Sequence, residues 1–191
     1  MILWTIQPVK VWGQLQHDGI YRCDPGQIDP DLVRPYDWLV KQMQKRTGDA
    51  PDGVLYPVWA WHTQKWKHEK PDLRRERWCC GPGNEIYACI EIEVPDDQVL
   101  LSDFDAWHCV LNDCLVSDTE EEAEKQDAYF ESLSDREKKE YKDRNWERIF
   151  DVSVLVNGWT SRGEWVQATF WELRKDQVRR VRFFRTACAK E

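Results

Sequence analysis

Apolar and polar positions follow two rhythms along this chain, and each rhythm marks its own elements. Met1 to Pro8 is a short, mostly apolar run that reads as a first strand. Pro8 suits the first turn of a helix to about Asp18, with Val11, Trp12 and Leu15 on one face and Gly19 as its stop. Asp29-Pro30 and Pro35 interrupt the next stretch. Tyr36, Leu39, Val40 and Met43 then give a second amphipathic helix ending at Gly48. A turn over Asp49 to Gly53 leads into a strand from Val54 to Trp61, where Pro57 predicts an edge or a bulge. Residues 62–86 lack periodicity and read as a long loop, a kind of segment that often carries function. The clearest period-two pattern comes next, with Ala88, Ile90, Ile92 and Val94 on one strand face. Beyond the Pro95-Asp96-Asp97 turn lie Val99-Leu100-Leu101 and a helix bearing Phe104, Trp107, Val110 and Leu111, capped by Ser102 or Asp103.

The chain then changes character. Between Asp118 and Arg148 stand twelve acidic and seven basic residues, which predicts a solvated helical insertion at about 117–150. Asp118 is the expected cap of its first helix, and Ser134-Asp135-Arg136-Glu137 is a capping box opening a second. Trp146, Ile149 and Phe150 form its buried end. Val152 to Val156, Trp165 to Leu173 and Val181 to Phe184 are the closing strands. Strands at both ends with helices between them predict an α+β class. A length of 191 residues predicts one domain, 1–191, that includes the insertion.

Composition narrows the function. No stretch approaches the roughly 20 apolar residues of a membrane helix, and the opening lacks the basic start and long apolar run of a signal peptide. Seven cysteines are an odd count, which together with that opening predicts free thiols and a cytoplasmic location. Cys79-Cys80 is vicinal, and the spacing of His108, Cys109 and Cys114 matches no structural zinc pattern, so no structural metal is expected. A net charge of −8 opposes non-specific duplex binding. Arg174, Lys175, Arg179, Arg180, Arg182, Arg185 and Lys190 nevertheless form a basic corner, either a solvated last hairpin or a seat for a nucleotide or short single strand.

Twelve tryptophans carry the candidate chemistry, because indole serves as core wall, stacking platform or interface anchor. Trp59 and Trp61 share one strand face by period two and either wall a slot for a flat ring or pack as core. On the following loop, Asp72 is placed to orient Arg74, whose planar fork suits a pyrophosphate or carboxylate. Asp103, Asp105 and His108 cluster at a helix start, with Asp105 the better partner for an acid/base imidazole; the alternative is a His filling a polar core position. Glu172 ends an apolar-aromatic strand and is costly to bury unless paired or working, though it also has the option of facing water. Gly-x-Gly-x-x-Gly, Walker, His-Glu-x-x-His and Gly-x-Ser-x-Gly motifs are all missing.

Leu3-Trp4-Thr5-Ile6-Gln7, Pro57-Val58-Trp59-Ala60-Trp61, Lys70-Pro71-Asp72-Leu73-Arg74, Ser102-Asp103-Phe104-Asp105-Ala106-Trp107-His108 and Gln167-Ala168-Thr169-Phe170-Trp171-Glu172 together resemble an uncharacterised bacterial domain-of-unknown-function family over nearly the whole chain. More distantly, the order of an aromatic-Thr strand, a helix ending in Gly-Ile-Tyr, an aromatic middle strand and a late Gln-x-x strand is similar to ADP-ribosyltransferase folds. That resemblance implies a mixed or antiparallel split sheet with flanking helices. It implies NAD as substrate, with ribose contacts at Trp4 or Thr5 and a nicotinamide pocket at Tyr56, Trp59 or Trp61. The family's late-strand acid would fall on Thr169 of Gln167-x-Thr169, so the catalytic role passes to Glu172, which lies on the opposite face unless a bulge re-aims it. Trp107, His108 and Asp105 complete the expected pocket. Transfer of ADP-ribose from NAD to a macromolecule or nucleotide is then the expected activity. The alternatives are a non-catalytic nucleotide or single-stranded nucleic-acid module stacking on Trp59 and Trp61, or a protein-interaction domain.

Overall fold

The computed structural model describes residues 1–74 and 85–185. Cys79, Cys80, Cys188 and Lys190 of the sequence reading lie outside the described residues. The order is β1 (Ile2–Pro8), α1 (Val9–Asp18), β2 (Ile20–Tyr21), α2 (Val33–Thr47), β3 (Val58–Gln64), β4 (Ile86–Glu93), β5 (Leu100–Asp103), α3 (Phe104–Leu111), α4 (Glu120–Glu131), α5 (Asp135–Asn145), β6 (Leu155–Val156), β7 (Ser161–Arg162), β8 (Trp165–Phe170), β9 (Leu173–Arg174) and β10 (Val178–Arg185). Six strands make one sheet in the order β10-β4-β1-β3-β8-β5, and every described ladder is antiparallel. The class is α+β, as the pattern of elements predicts, without the parallel pairs a mixed sheet would need.

Each half of the sheet is regularly paired, but the ladder between the halves is sparse. β1 and β4 share seven register partners from Ile2↔Glu93 to Pro8↔Tyr87, whereas β1 and β3 share a single one, Trp4↔Trp61. Side chains stitch this seam where backbone bonds do not. The Thr5 hydroxyl donates to the Trp59 carbonyl at 2.8 Å, and Gln7 Nε2 donates to Thr5 Oγ1 at 2.8 Å. Thr5 is fully buried, so these bonds form away from competing water.

Period-two alternation sends the two sheet faces into different cores. One face carries Leu3, Val58, Ala60, Ala88, Ile90, Ile92 and Phe170, packed under Leu15 of α1. On the other face, Leu100 and Trp59 meet α2, α3 and the 3-10 turn Trp146–Phe150 through Trp38, Leu39, Met43, Trp107 and Ile149. The rest of that face holds Trp4 and Cys89 packed with Leu73, whose chain segment we call the strap.

Several boundaries differ from the sequence expectation for local reasons. β3 starts at Val58 rather than Val54, because the chain is still turning at Pro51 to Val54 (N–O 3.0 Å) and Pro57 has no N–H to donate. The strand runs on to Gln64 and reverses through Lys65 and Trp66, both left-handed at φ 50° and 60°. Thr119, not Asp118, caps α4, accepting from the Glu122 amide; Asp118 instead serves two arginines. Two expected closing strands are cut short, since only Leu155–Val156 pairs in the first and Trp171 leaves the second to pack among the helices, while the third runs longer, from Val178 to Arg185. The capping box at Ser134 and Glu137 is present.

Candidate functional site

Register across the sheet lines up one residue from each strand: Arg180, Glu91, Trp4, Trp61, Gln167 and Ser102 are successive cross-strand partners. Such partners project to the same face, so this row crosses the seam from the basic edge to the helix-covered half. Its centre is the indole pair Trp4↔Trp61.

Trp4 is buried; its Nε1 donates to Glu91 Oε2 at 3.1 Å, and His68 lies against it with ring centroids 5.2 Å apart. Leu73 of the strap is buried beside it. Trp61 remains half-buried, flanked by Phe104 at 5.2 Å and Trp165 at 5.9 Å. Two residues earlier, on the same face, Trp59 packs against Trp107 at 5.3 Å and Tyr36 at 6.2 Å, with Tyr56 beyond Tyr36 at 5.9 Å. Burial pushes the Tyr36 hydroxyl pKa up, while the neighbouring Trp59 indole opposes the shift.

Polar atoms on this face are incompletely satisfied. Ser102 Oγ, Gln167 Oε1 and Trp59 Nε1 are buried with no well-formed hydrogen bond; Trp59 Nε1 lies near the Tyr36 hydroxyl without closing one. A buried group left so forfeits about 1–3 kcal/mol, and native structures keep few of them without a functional reason. Thr169, one step along, already donates to the Leu100 carbonyl at 3.3 Å and so has no unmet bond for a ligand to complete.

The structure therefore gathers Trp4, Thr5, Trp59, Trp61, Trp107, Gln167 and Thr169 around the seam, with Tyr56 at its margin bonded to Asp37 at 3.1 Å. Other expected residues fall elsewhere. The Asp105–His108 pair is not formed: both side chains are exposed, and His108 Nδ1–H donates to the Phe104 carbonyl at 2.8 Å, one helical turn back. Asp72 and Arg74 flank Leu73 on the strap but bind each other through two bonds of 2.9 and 3.1 Å. Glu172 follows the end of β8, beyond any bulge in that strand, and Arg22 grips it through Nε at 2.8 Å and a terminal nitrogen at 2.7 Å. Burial of the Glu172 carboxylate is thus balanced by pairing rather than by a place at the seam.

Sequence reasoning did not single out Ser102 as more than a cap, nor Glu91 or Tyr36. Ser102 carried a signal: a small polar residue interrupting Leu100-Leu101 on the inward parity of a short strand. Glu91 looked like the outward member of an alternating strand, and only its register beside Trp4 changes that.

On the far side of α3, a cavity of about 840 Å³ is lined by residues including Asp103, Cys109, Cys114, Asp118, Phe130, Arg148, Trp159 and Arg162. Its charges are mutually engaged. Arg148 binds Asp118 at 3.0 Å and Glu122 at 2.8 Å, and Arg162 binds Asp118 at 3.0 Å. Burial raises the Asp103 pKa, although the Ala106 and Gly163 amides both donate to its carboxylate. Among the described residues no group of three or more His, Cys, Asp or Glu is arranged to hold a metal ion. Likewise, no described helix is long and apolar enough to cross a membrane.

Compared with known proteins, residues 2–179 match the family model described as Domain of unknown function (DUF3841). The chain belongs to that family. No curated protein and no solved structure matches it.

Proposed function

We propose that this domain binds a nucleotide at the seam, with NAD as the lead ligand, on a scaffold of ADP-ribosyltransferase type. The three strands to which that resemblance assigns ligand roles, β1, β3 and β8, are neighbours in the sheet. The two sheet halves share a single register partner, Trp4↔Trp61, which agrees with a sheet whose pairing is weakened between β1 and β3. The observation that carries the reading is the row Trp4–Trp61–Gln167–Ser102: two indoles followed by two oxygens that lack partners. A carboxamide or an exocyclic amine supplies the N–H donors those oxygens lack, while its ring stacks on Trp61. Stacking of this kind is worth about 1–3 kcal/mol per base. Trp61 is the entry point, since Leu73 and His68 roof Trp4.

Binding, rather than Glu172-based transfer, is the activity assigned. Glu172 is held by Arg22, and Thr169 occupies the position of the late-strand acid. The test is quenching of tryptophan fluorescence by NAD, with ATP and a short RNA as controls. Saturable quenching by NAD that Trp61→Ala abolishes and Glu172→Ala leaves intact is the expected result. Equal quenching by RNA would favour the single-strand stacking module. No response to any of the three would refute the nucleotide reading and favour a protein-interaction domain.

A further inference from the structure

We infer that Arg180 and Arg182 form the phosphate arm of this site, so that its ligand carries a diphosphate rather than a bare base. The inference rests on the nucleotide reading above and adds the ligand's charged portion. β10 is an edge strand of the sheet, paired with β4 so that Arg180 stands opposite Glu91 and Arg182 opposite Cys89. That register turns both arginines to the face that carries Trp4 and Trp61. A register shift between Val178 and Arg180 lets Arg179 leave this row and bind Glu93 at 2.6 Å.

Arg180 and Arg182 are set apart by what they lack. Apart from Arg185, every other described arginine makes a hydrogen bond or ion pair, at Arg22, Arg34, Arg46, Arg74, Arg136, Arg144, Arg148, Arg162, Arg174 and Arg179. Among the described residues, Arg180 and Arg182 have no such partner. Both keep free a planar fork that matches phosphate oxygens, in a protein whose net charge is −8. Arg74, the sequence candidate for this role, is already closed on Asp72.

The order of chemistry across the sheet fits one ligand that arches over Leu73 and His68, the roof of Trp4. Trp61 offers the stacking surface for the base, and Glu91 offers a carboxylate acceptor of the kind that takes ribose hydroxyls. Arg180 and Arg182 then offer cations. Neighbouring strands lie about 4.8 Å apart, so three steps separate Arg180 from Trp61 by roughly 14 Å before side-chain reach shortens the gap.

The test compares wild type with Arg180→Gln/Arg182→Gln, whose substitutions sit on an exposed edge and whose folding circular dichroism checks. Binding of NAD, ADP, adenosine and inorganic pyrophosphate is measured by calorimetry. Wild type should bind ADP at least about tenfold more tightly than adenosine. The double variant should keep its adenosine affinity and lose the preference. Pyrophosphate should compete with ADP on wild type alone. Equal ADP affinity for the two proteins would overturn the phosphate arm while leaving the base platform standing. If adenosine fails to bind but pyrophosphate binds wild type and not the variant, the platform falls and the anion site survives. Binding of a short RNA without ADP or pyrophosphate binding would overturn the assignment to a nucleoside diphosphate.

Discussion

The helical insertion and the seam are both rich in polar side chains, and they treat them in opposite ways. In the insertion, Asp118 receives Arg148 and Arg162, and Glu122 receives Arg148 and the Asp118 amide. Asn145 holds both the N–H and the carbonyl of Val116, at 2.7 and 3.1 Å. Among the described residues there, Arg148 Nε alone is left over. At the seam, the serine and glutamine oxygens of one sheet face stay buried without partners. A closed polar network stabilises a shape, whereas an open one awaits something that completes it. Size misleads here, because the cavity of about 840 Å³ belongs to the closed network.

The hardest blow to the insertion is Trp146→Ala. This indole is fully buried, donates to the Cys114 carbonyl at 2.7 Å and meets Trp38 edge to face. Removing it should cost about 3–5 kcal/mol, read as a lower urea midpoint. A loss under about 1 kcal/mol would mean that the insertion is not anchored there.

Thr5→Val probes the seam at constant volume. It strands the Trp59 carbonyl and the Gln7 amide, so a loss of about 1–3 kcal/mol is expected in the same unfolding measurement. An unchanged midpoint would show that side chains do not stitch the two halves together.

Acid separates the regions more gently. Burial works against the charged forms of Glu122 and Asp113, but the Asp118 amide and Arg148 outweigh it at Glu122, and Lys142 and Arg34 outweigh it at Asp113. Both carboxyls therefore titrate below their ordinary values in the folded state. Their contribution is complete above those ordinary values, about pH 4–4.5, and is lost as pH falls through the lowered ones. Arg148→Met should flatten this acid dependence and cost about 1 kcal/mol or less at neutral pH, since the pair is partly exposed. An unaltered pH–stability curve would sever Glu122 from Arg148. His62, pushed down to about 4 by burial and then by His68, adds an acid loss of its own that begins as pH falls below its ordinary 6.5.

Much of the fold was legible from periodicity and caps. α1, α2, the alternating β4 and the Ser134 capping box stand near their expected places, because each is set by residues close in sequence. The pairing of Trp59 and Trp61 on one face was legible for the same reason. Their neighbours were not. Gln167 and Ser102 lie beside Trp61 only through register between strands far apart in the chain, and local pattern does not encode register. Asp105 and His108 show the converse error. Their spacing permits a pair, but the carbonyl one turn back is nearer for the imidazole. Glu172 looked costly to bury because Arg22, its partner, lies 150 residues away.

The most direct test of the account is urea unfolding of wild type and Gln167→Leu, with and without NAD. If the unpartnered seam atoms exist to meet a ligand, the variant alone should be at least as stable as wild type. NAD at a hundred times its dissociation constant should stabilise wild type by about 2.7 kcal/mol and the variant by much less. A variant that is less stable alone, yet gains the same increment from NAD, would contradict the account and return Gln167 to the ordinary core.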